Sequence, residues 1–408
     1  MQRAGSNMSQ QLSGAFRQAL SETGRSGRCF LLMDQGGTNV RLSVYAAGRR
    51  WAWPQRAWSN GQGAELRCSD VRSSQQLYAL LAEVAAALNL SAADAPQIRA
   101  VLAFAGAVSA DRDSVPITNW PEQPILTLAG LERALCGAPV LMLNDVEAAA
   151  FGLVALEAQN AWPERACEIG VDGIRHIRLR AGSRERLAQN RAIVVPGTGV
   201  GTGFIVSVPR LAGGKRADLP EVVPCEVQHS PIAAQTPEEF ALIEWLRRHR
   251  TEGCPPCFES IVSGDGLENV YDFLVQSAGG LEAACRACPE VETASVRAAA
   301  IAQAAQSDPP DPTCREALSI YYAFCGRLAQ TLALAVKAFG GIYLAGDTTS
   351  RNWTFLPGSP YVRNFLTNHK QAVLLQDCPL YLLDKPGLNL DGALYAACYR
   401  WYLRPQNR

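Results

Sequence analysis

The chain predicts an α/β fold built from two units, and three features carry that expectation. Short apolar runs of strand length alternate with longer segments whose apolar residues recur at helical spacing. Two strand–glycine turn–strand segments occur, one around Gly36 and one around Gly197. Another strand ends at Asn144 and Asp145 and runs straight into a helix, the position at which open α/β sheets carry their active groups.

Residues 29–33 are an apolar run that reads as a buried strand, ended by Asp34 and the glycines Gly36 and Gly37. Beyond that turn Val40, Leu42, Val44 and Tyr45 begin a second strand, so the unit is an antiparallel hairpin. A Walker-type loop would need a following helix and a Gly-Lys-Ser/Thr end, and neither is present. In residues 74–90 the spacing of Leu77, Leu80, Leu81, Val84 and Leu88 predicts a helix. Residues 98–104 and 139–143 read as buried strands, the second leading into a helix through Glu147 and Phe151. The polar, Arg-rich residues 157–191 read as an excursion between core elements. A strand is expected at 192–196, broken by the glycine run from Gly197 to Gly203 and resumed at 204–208. Residues 237–248 predict a helix with Thr236 as N-cap and Glu239 as its capping-box partner. Residues 279–313, with Pro309, Pro310 and Pro312, read as a peripheral insertion. A long apolar-striped helix at 314–338 and a strand at 341–345, ending at Gly346, follow. The expected division is a polar leader at 1–28, a small unit at 29–155 plus 385–408, and a large unit at 156–384 with peripheral insertions.

Of 408 residues 48% are hydrophobic, and Lys+Arg balance Asp+Glu at 38 each. Neither a nucleic-acid binder nor a membrane-surface protein is expected from such a balance. No apolar stretch reaches the length of a membrane span, and the first 28 residues lack a secretory apolar region. They carry Arg3, Arg17, Arg25 and Arg28 with only Glu22 as an acid, faintly like an organelle transit peptide; a frayed polar leader is the expectation. A soluble, cytoplasmic protein acting on a small molecule follows. Its oligomeric state stays open, a homodimer standing beside the monomer. Among the 13 cysteines, Cys29, Cys136 and Cys398 sit in apolar surroundings, as buried reduced thiols do. Two Cys-x-x-Cys pairs, Cys254/Cys257 and Cys285/Cys288, offer thiolates of the kind that bind zinc. The second pair lies in an Ala-rich stretch that reads as helix. The spacing between the pairs exceeds the usual zinc-ribbon range, so free thiols are the expectation.

DQGGTNVR from Asp34 resembles the first phosphate motif, Asp-x-Gly-Gly-Thr-Asn-x-Arg, of the bacterial-type glucokinase family in the hexokinase/actin superfamily. The likeness continues in order. TNW from Thr118 resembles a Thr-Asn segment, NDVEAAAFG from Asn144 the catalytic strand end, and PGTGVGTG from Pro196 the second phosphate hairpin. EVQH from Glu226 is similar to the family's Glu-x-x-His, and FESIVSGDGLENVY from Phe258 to its Glu-x-x-x-Ser-Gly-x-Gly-Leu segment. GGIYLAGD from Gly340 resembles the adenosine-side motif, and PGLNLDGALYAA from Pro386 the closing helix. Eight segments in register, from about Cys29 to Ala397, make the resemblance specific. It implies a two-lobed actin-like ATPase (ribonuclease H-like) fold with an interdomain active-site cleft, in which ATP and Mg²⁺ phosphorylate glucose.

Chemistry gives these residue types a reason. Backbone N–H groups must meet the phosphates, and glycine lets them approach closely. Gly36, Gly37, Thr38 and Asn39 would hold one side of the nucleotide, and Gly197, Thr198, Gly199 and Gly346 the other. Asp34 would orient magnesium, directly or through water. A sugar hydroxyl needs a positioned carboxylate to take its proton, and Asp145 is that candidate, with helix capping as its alternative role. By resemblance, Asn119, Asn144, Asp145, Glu226, His229 and Glu259 bind the sugar. The related ROK kinases bind zinc at a similar histidine through a cysteine run that is missing here, so no zinc is expected at His229.

Two departures from the family stand out. Val227 and Gln228 replace two glycines, which bears on the sugar loop, and Asp347 replaces a glycine on the adenosine side. Trp120 is open to two readings, packing on sugar or packing in the core. Three functional classes follow: a hexose kinase, a non-catalytic sugar sensor, and an actin-like ATPase. Asp34, Asp145 and both glycine turns favour the kinase over the sensor, and the Glu226, His229 and Glu259 set has no purpose in the ATPase. Glucose over another hexose is not decided by these residues.

Overall fold

The structure, a computed structural model, describes residues 29–36, 40–46, 55–56, 66–68, 71–87, 90–95, 98–118, 120–159, 161–171, 173–176, 188–212, 215–277, 287–385 and 387–398. The leader at 1–28, Leu88 and Cys285 lie outside them. Two compact units emerge, one running to Ala155 and taken up again from Gly387, the other spanning Leu156–Pro386.

The first unit carries strands β1 (Cys29–Gln35), β2 (Val40–Ala46), β3 (Gln55–Arg56), β4 (Leu66–Cys68), β5 (Ile98–Phe104), β6 (Ser114–Pro116), β7 (Ile125–Thr127) and β8 (Val140–Asn144). Its main sheet has the order β3-β2-β1-β5-β8, with β4 also on β2. As the glycine turn requires, β1 and β2 are antiparallel. β5 is parallel to both β1 and β8. Nearly every β5 residue is buried, as a strand covered on both faces needs. The register sets Gln35 beside Phe104 and Phe104 beside Asn144. All three strands therefore end along one edge of the sheet.

Two helices of this unit meet backbone to backbone. Asp145–Ala158 buries Ala148, Ala149 and Ala150, and Leu388–Cys398 lies against it. A Cβ at Gly392 would stand 1.7 Å from the Ala148 carbonyl oxygen, and one at Gly152 would stand 2.4 Å from that of Leu388. Only residues without a Cβ permit this approach. The helix Ser74–Ala87 covers the core with Leu77 and Leu81, and Trp120 is buried in that same core.

The second unit has β9 (Ala166–Gly170), β10 (Gly173–His176), β11 (Arg191–Pro196), β12 (Val200–Ala212), β13 (Lys215–Cys225), β14 (Gly341–Ala345) and β15 (Leu380–Leu383) in the order β10-β9-β15-β14-β11-β12-β13. The central strands β11, β14 and β15 are parallel. The helix Pro312–Val336 supplies the core with Leu318, Tyr322, Phe324, Cys325 and Leu328, all fully buried or nearly so.

Several expectations need correction here. Residues 157–191 are no excursion where described, because β9 pairs with β15 inside the sheet; only Ala166 and Ile169 of the β9 side chains are buried, so no apolar run announces it. The glycine run breaks the strand only at 197–199, and β12 resumes at Val200. β13 pairs with β12 from Thr202 to Ala212 despite Pro220 and Pro224, as the end strand of the sheet can. Residues 279–313 are not peripheral where described: Val291 and Ile301, on the helices Pro289–Glu292 and Arg297–Ala304, are fully buried core residues. Cys136 is exposed, and Cys288 precedes a helix as its N-cap. The Thr236 cap forms as expected, accepting from Glu239 N–H at 3.3 Å. The Glu239 carboxylate accepts from Gln235 N–H and takes a fork from Arg327.

Candidate active site

In the first unit the acids stand where the parallel strands end. Asp34, at the end of β1, is 7% exposed. Its Oδ1 accepts from Asn389 Nδ2 at 2.9 Å, and Arg41 lies 4.0 Å from Oδ2. Gly36 follows, at the turn. Two strands across the same edge, about 10 Å away at the usual strand spacing, β8 delivers Asn144 and Asp145. The Asn144 side chain is committed to structure. Its Nδ2 donates to Gly106 O at 3.0 Å, and its Oδ1 accepts from Val146 N–H and Glu147 N–H. Capping, offered above as a role for Asp145, is thus shared by Asn144. Asp145, half-buried, accepts from Val146 N–H at 2.9 Å, which points its carboxyl along the start of the helix. Two residues on, buried Glu147 is forked by Arg112 at 2.7 and 2.9 Å, and Arg112 also donates to Met142 O in β8. This ion pair anchors the helix start to the strand that carries Asp145.

In the second unit the sugar set and the second glycine hairpin form one cluster. Glu226 and His229 flank the short turn Val227–His229, with His229 Nε2 3.5 Å from Glu226 Oε2. Glu259, from the turn Phe258–Ser260, sets Oε1 4.0 Å from His229 Nδ1. Its other oxygen accepts from Val200 N–H at 2.9 Å. A Cβ at Gly199 would stand 2.7 Å from that same carboxylate. The hairpin is held from behind as well, since Gly264 N–H donates to Gly197 O at 2.9 Å and to Thr198 O at 3.1 Å. Gly346, just past β14, closes the group: a Cβ there would lie 3.0 Å from Pro196 O.

Two side chains of this cluster had been given no role. Gln228, one of the departures, is 5% exposed. It donates to Glu226 Oε2 at 2.5 Å and accepts from Thr202 Oγ1 at 2.6 Å, tying the glutamate to β12. Cys257 sets Sγ 3.9 Å from His229 Nδ1 and 3.6 Å from Ser260 Oγ. Burial raises the Cys257 thiol, but the contacts to His229 and Ser260 outweigh it and leave the thiol below its ordinary value. The Cys257 contact raises His229 above the ordinary imidazole value against the effect of burial, with Glu259 and Glu226 adding to it. The position of Cys257 just before the Phe258 motif was the available signal; Gln228 stood out as a departure and Asn389 lies in the closing-helix segment, but nothing local pointed to Thr202 or Asp34 as their partners. Gly37, Thr38, Asn39 and Asn119 lie outside the described residues. Of the cysteine pairs, Cys254, Cys257 and Cys288 are free thiols, and Cys288 comes within 4.8 Å of Asp311 and Cys314. No described helix is long and apolar enough to cross a membrane.

Comparison with known proteins places this architecture. The chain is 27% identical over 384 residues to a glucokinase of Mesorhizobium japonicum, covering 93% of this chain and 94% of the relative. It is 27% identical to a glucokinase of Brucella suis over 89% of both chains. Among solved structures, the glucokinase of Balamuthia mandrillaris in complex with glucose matches with a TM-score of 0.71 at 23% identity, over 95% of this chain and 99% of that one. A ROK family glucokinase from Streptomyces griseus, in complex with glucose and AMPPNP, matches with a TM-score of 0.54 at 16% identity, over 90% and 98%. At these identities the structures speak for the fold alone, an α/β fold shared with sugar kinases. The glucokinase family model matches residues 31–399, and the chain belongs to that family.

Proposed function

We propose that this protein is an ATP-dependent glucokinase, transferring the terminal phosphoryl group of ATP in line to the 6-hydroxyl of glucose. The observation that carries the reading is the meeting of Glu226, His229 and Glu259 beside the hairpin Gly197–Gly199. A carboxylate that holds the phosphate hairpin from one oxygen and faces the sugar histidine from the other suits a site that joins nucleotide to sugar.

In this reading the two units are lobes of a cleft, bounded at about residues 155 and 385, and closure excludes water. Asp145 takes the proton of the attacking hydroxyl, a contribution of about 10²–10⁴ in rate. Asn119, Asn144, Glu226, His229 and Glu259 hold the sugar. The committed amide of Asn144 serves this set by fixing where Asp145 begins, and the second hydrogen of its Nδ2 is the donor this reading gives to a sugar hydroxyl. Gly36, Gly37, Thr38 and Asn39 meet the phosphates from one side, and Gly197, Thr198, Gly199 and Gly346 from the other. Mg²⁺ supplies charge neutralisation on the phosphates. Asp34 fits it as a largely buried carboxylate oriented by Asn389, acting directly or through water. The protein works in the cytoplasm.

Purified protein with Mg-ATP and a panel of hexoses tests the assignment. Glucose 6-phosphate is the expected product. A folded protein that binds glucose and phosphorylates no hexose would be a sensor, and the kinase reading would fall.

A further inference from the structure

Cys257 has no place in the phosphoryl transfer just described, yet its sulfur stands 3.9 Å from the histidine of the sugar set. The segment that carries it is fixed. Pro255 and Pro256 restrict the backbone ahead of it, Ile232 N–H donates to Pro256 O at 3.1 Å, and Cys257 bridges Pro231. These contacts clamp the thiol beside the turn that ends in His229. Glu226 lies 3.5 Å from the far nitrogen, Nε2, and Glu259 lies 4.0 Å from Nδ1, the nitrogen the sulfur also faces; two carboxylates favour a ring that keeps its proton. A thiol beside such a ring is poised as a thiolate nucleophile. The site is also reachable, since the His229 side chain is about half exposed and Cys257 is only partly buried.

We propose that Cys257 is a covalent modification site for small disulfides, and that the adduct occupies the space the sugar needs. The consequence for the sugar rests on the function proposed above; the reactivity does not. The exchange is balanced by its own reagents. The Cys257 thiolate attacks one sulfur of glutathione disulfide, a new S–S bond forms, the old one breaks, and the departing glutathione thiolate takes a proton from water. One protein thiol is oxidised, and one of the two glutathione sulfurs is reduced. A sulfur-borne tripeptide at this position would displace His229 from the sugar set.

The experiment uses the full chain carrying Cys254→Ser, which removes the neighbouring thiol able to displace the adduct. Cys254 is exposed and outside the site, so basal turnover is expected to persist. Glutathione disulfide is added near neutral pH, and peptide mass mapping follows adducts at Cys257 and at exposed Cys136. Cys257 is expected to react about tenfold faster than Cys136, and His229→Gln in the same background should remove that advantage without changing Cys136. Equal rates at the two sites, or an unchanged rate at Cys257 after His229→Gln, would overturn the proposal. If His229→Gln does not fold, pH supplies the second test in the Cys254→Ser chain that keeps His229. The ratio of rates should fall toward one as the pH approaches about 9, where an ordinary thiol also ionises; a ratio independent of pH overturns the pairing. Glucose is expected to slow the reaction at Cys257. Fast labelling that glucose does not slow upholds the modification site and counts against the sugar-site assignment instead.

Discussion

The two units hold their functional groups in different ways. In the first, each polar group at the sheet edge is committed to the scaffold: Asp34 to Asn389, Asn144 to Gly106 and the helix N–H groups, Glu147 to Arg112. Backbone register then decides where Asp145 stands. In the second, Glu226 and His229 are about half exposed, and a network of side chains positions them. The rigid edge suits proton transfer, which tolerates little misplacement. The side-chain cluster suits recognition, and a single substitution such as Gln228 can retune it. The sharpest way to break this comparison is Asp145→Ala. Turnover should fall at least about a hundredfold while nucleotide affinity stays similar. Kinetics together with calorimetry on the nucleotide checks it, and a loss below tenfold would remove Asp145 from the role of base.

The rigidity of the first unit makes a second demand. Gly392→Val should destabilise the fold by about 1–3 kcal/mol or more, because the new side chain meets the Ala148 carbonyl. Thermal melts measure this. A variant as stable as the parent would show that the two helices separate without cost, and the scaffold reading of this unit would lose its support.

The adaptable cluster predicts a smaller effect of a different kind. Gln228→Ala removes the donor to Glu226 and leaves Thr202 without its acceptor. One hydrogen bond to a charged group is worth about 1.5–3 kcal/mol, so KM for glucose should rise about tenfold or more with kcat little changed. A drop in stability with KM unmoved would make Gln228 a structural residue alone.

The same contrast explains what the sequence made legible. Strands with apolar runs and glycine turns, at 29–33, 98–104, 192–196 and 341–345, are visible because local pattern and tertiary burial agree. β9 and β13 are not, because β9 has only two buried side chains and β13 carries prolines and charges; each is specified by its partner strand. Motif order placed Asp34 and Asn144 at strand ends, and Glu226, His229 and Glu259 in one cluster. It could not place Cys257 or explain Gln228, since the contact of Cys257 with His229 spans 28 positions and that of Gln228 with Thr202 spans 26. Asn389, which reaches Asp34 across 355 positions, is the extreme case.

The finest test concerns the charge state of the cluster. In the folded chain His229 titrates above the ordinary imidazole value of about 6.5. Its stabilising contribution is therefore complete below about pH 6.5 and is lost as pH rises through the folded value. Cys257 runs the other way, because its folded value is depressed. Its contribution is present above the ordinary thiol value, near 8.5, and is lost as pH falls through the folded one. The two therefore exchange across neutral to mildly alkaline pH, with Glu226 and Glu259 acting on the ring throughout. An NMR titration of His229 reads one partner directly. Since the Cys257 contact is the leading cause of the rise, Cys257→Ser should move the His229 midpoint down, and adding Glu259→Gln should move it further. A midpoint unmoved by both changes would mean that the imidazole is set by neither Cys257 nor Glu259, and the second unit would then lack the coupled cluster that distinguishes it from the first.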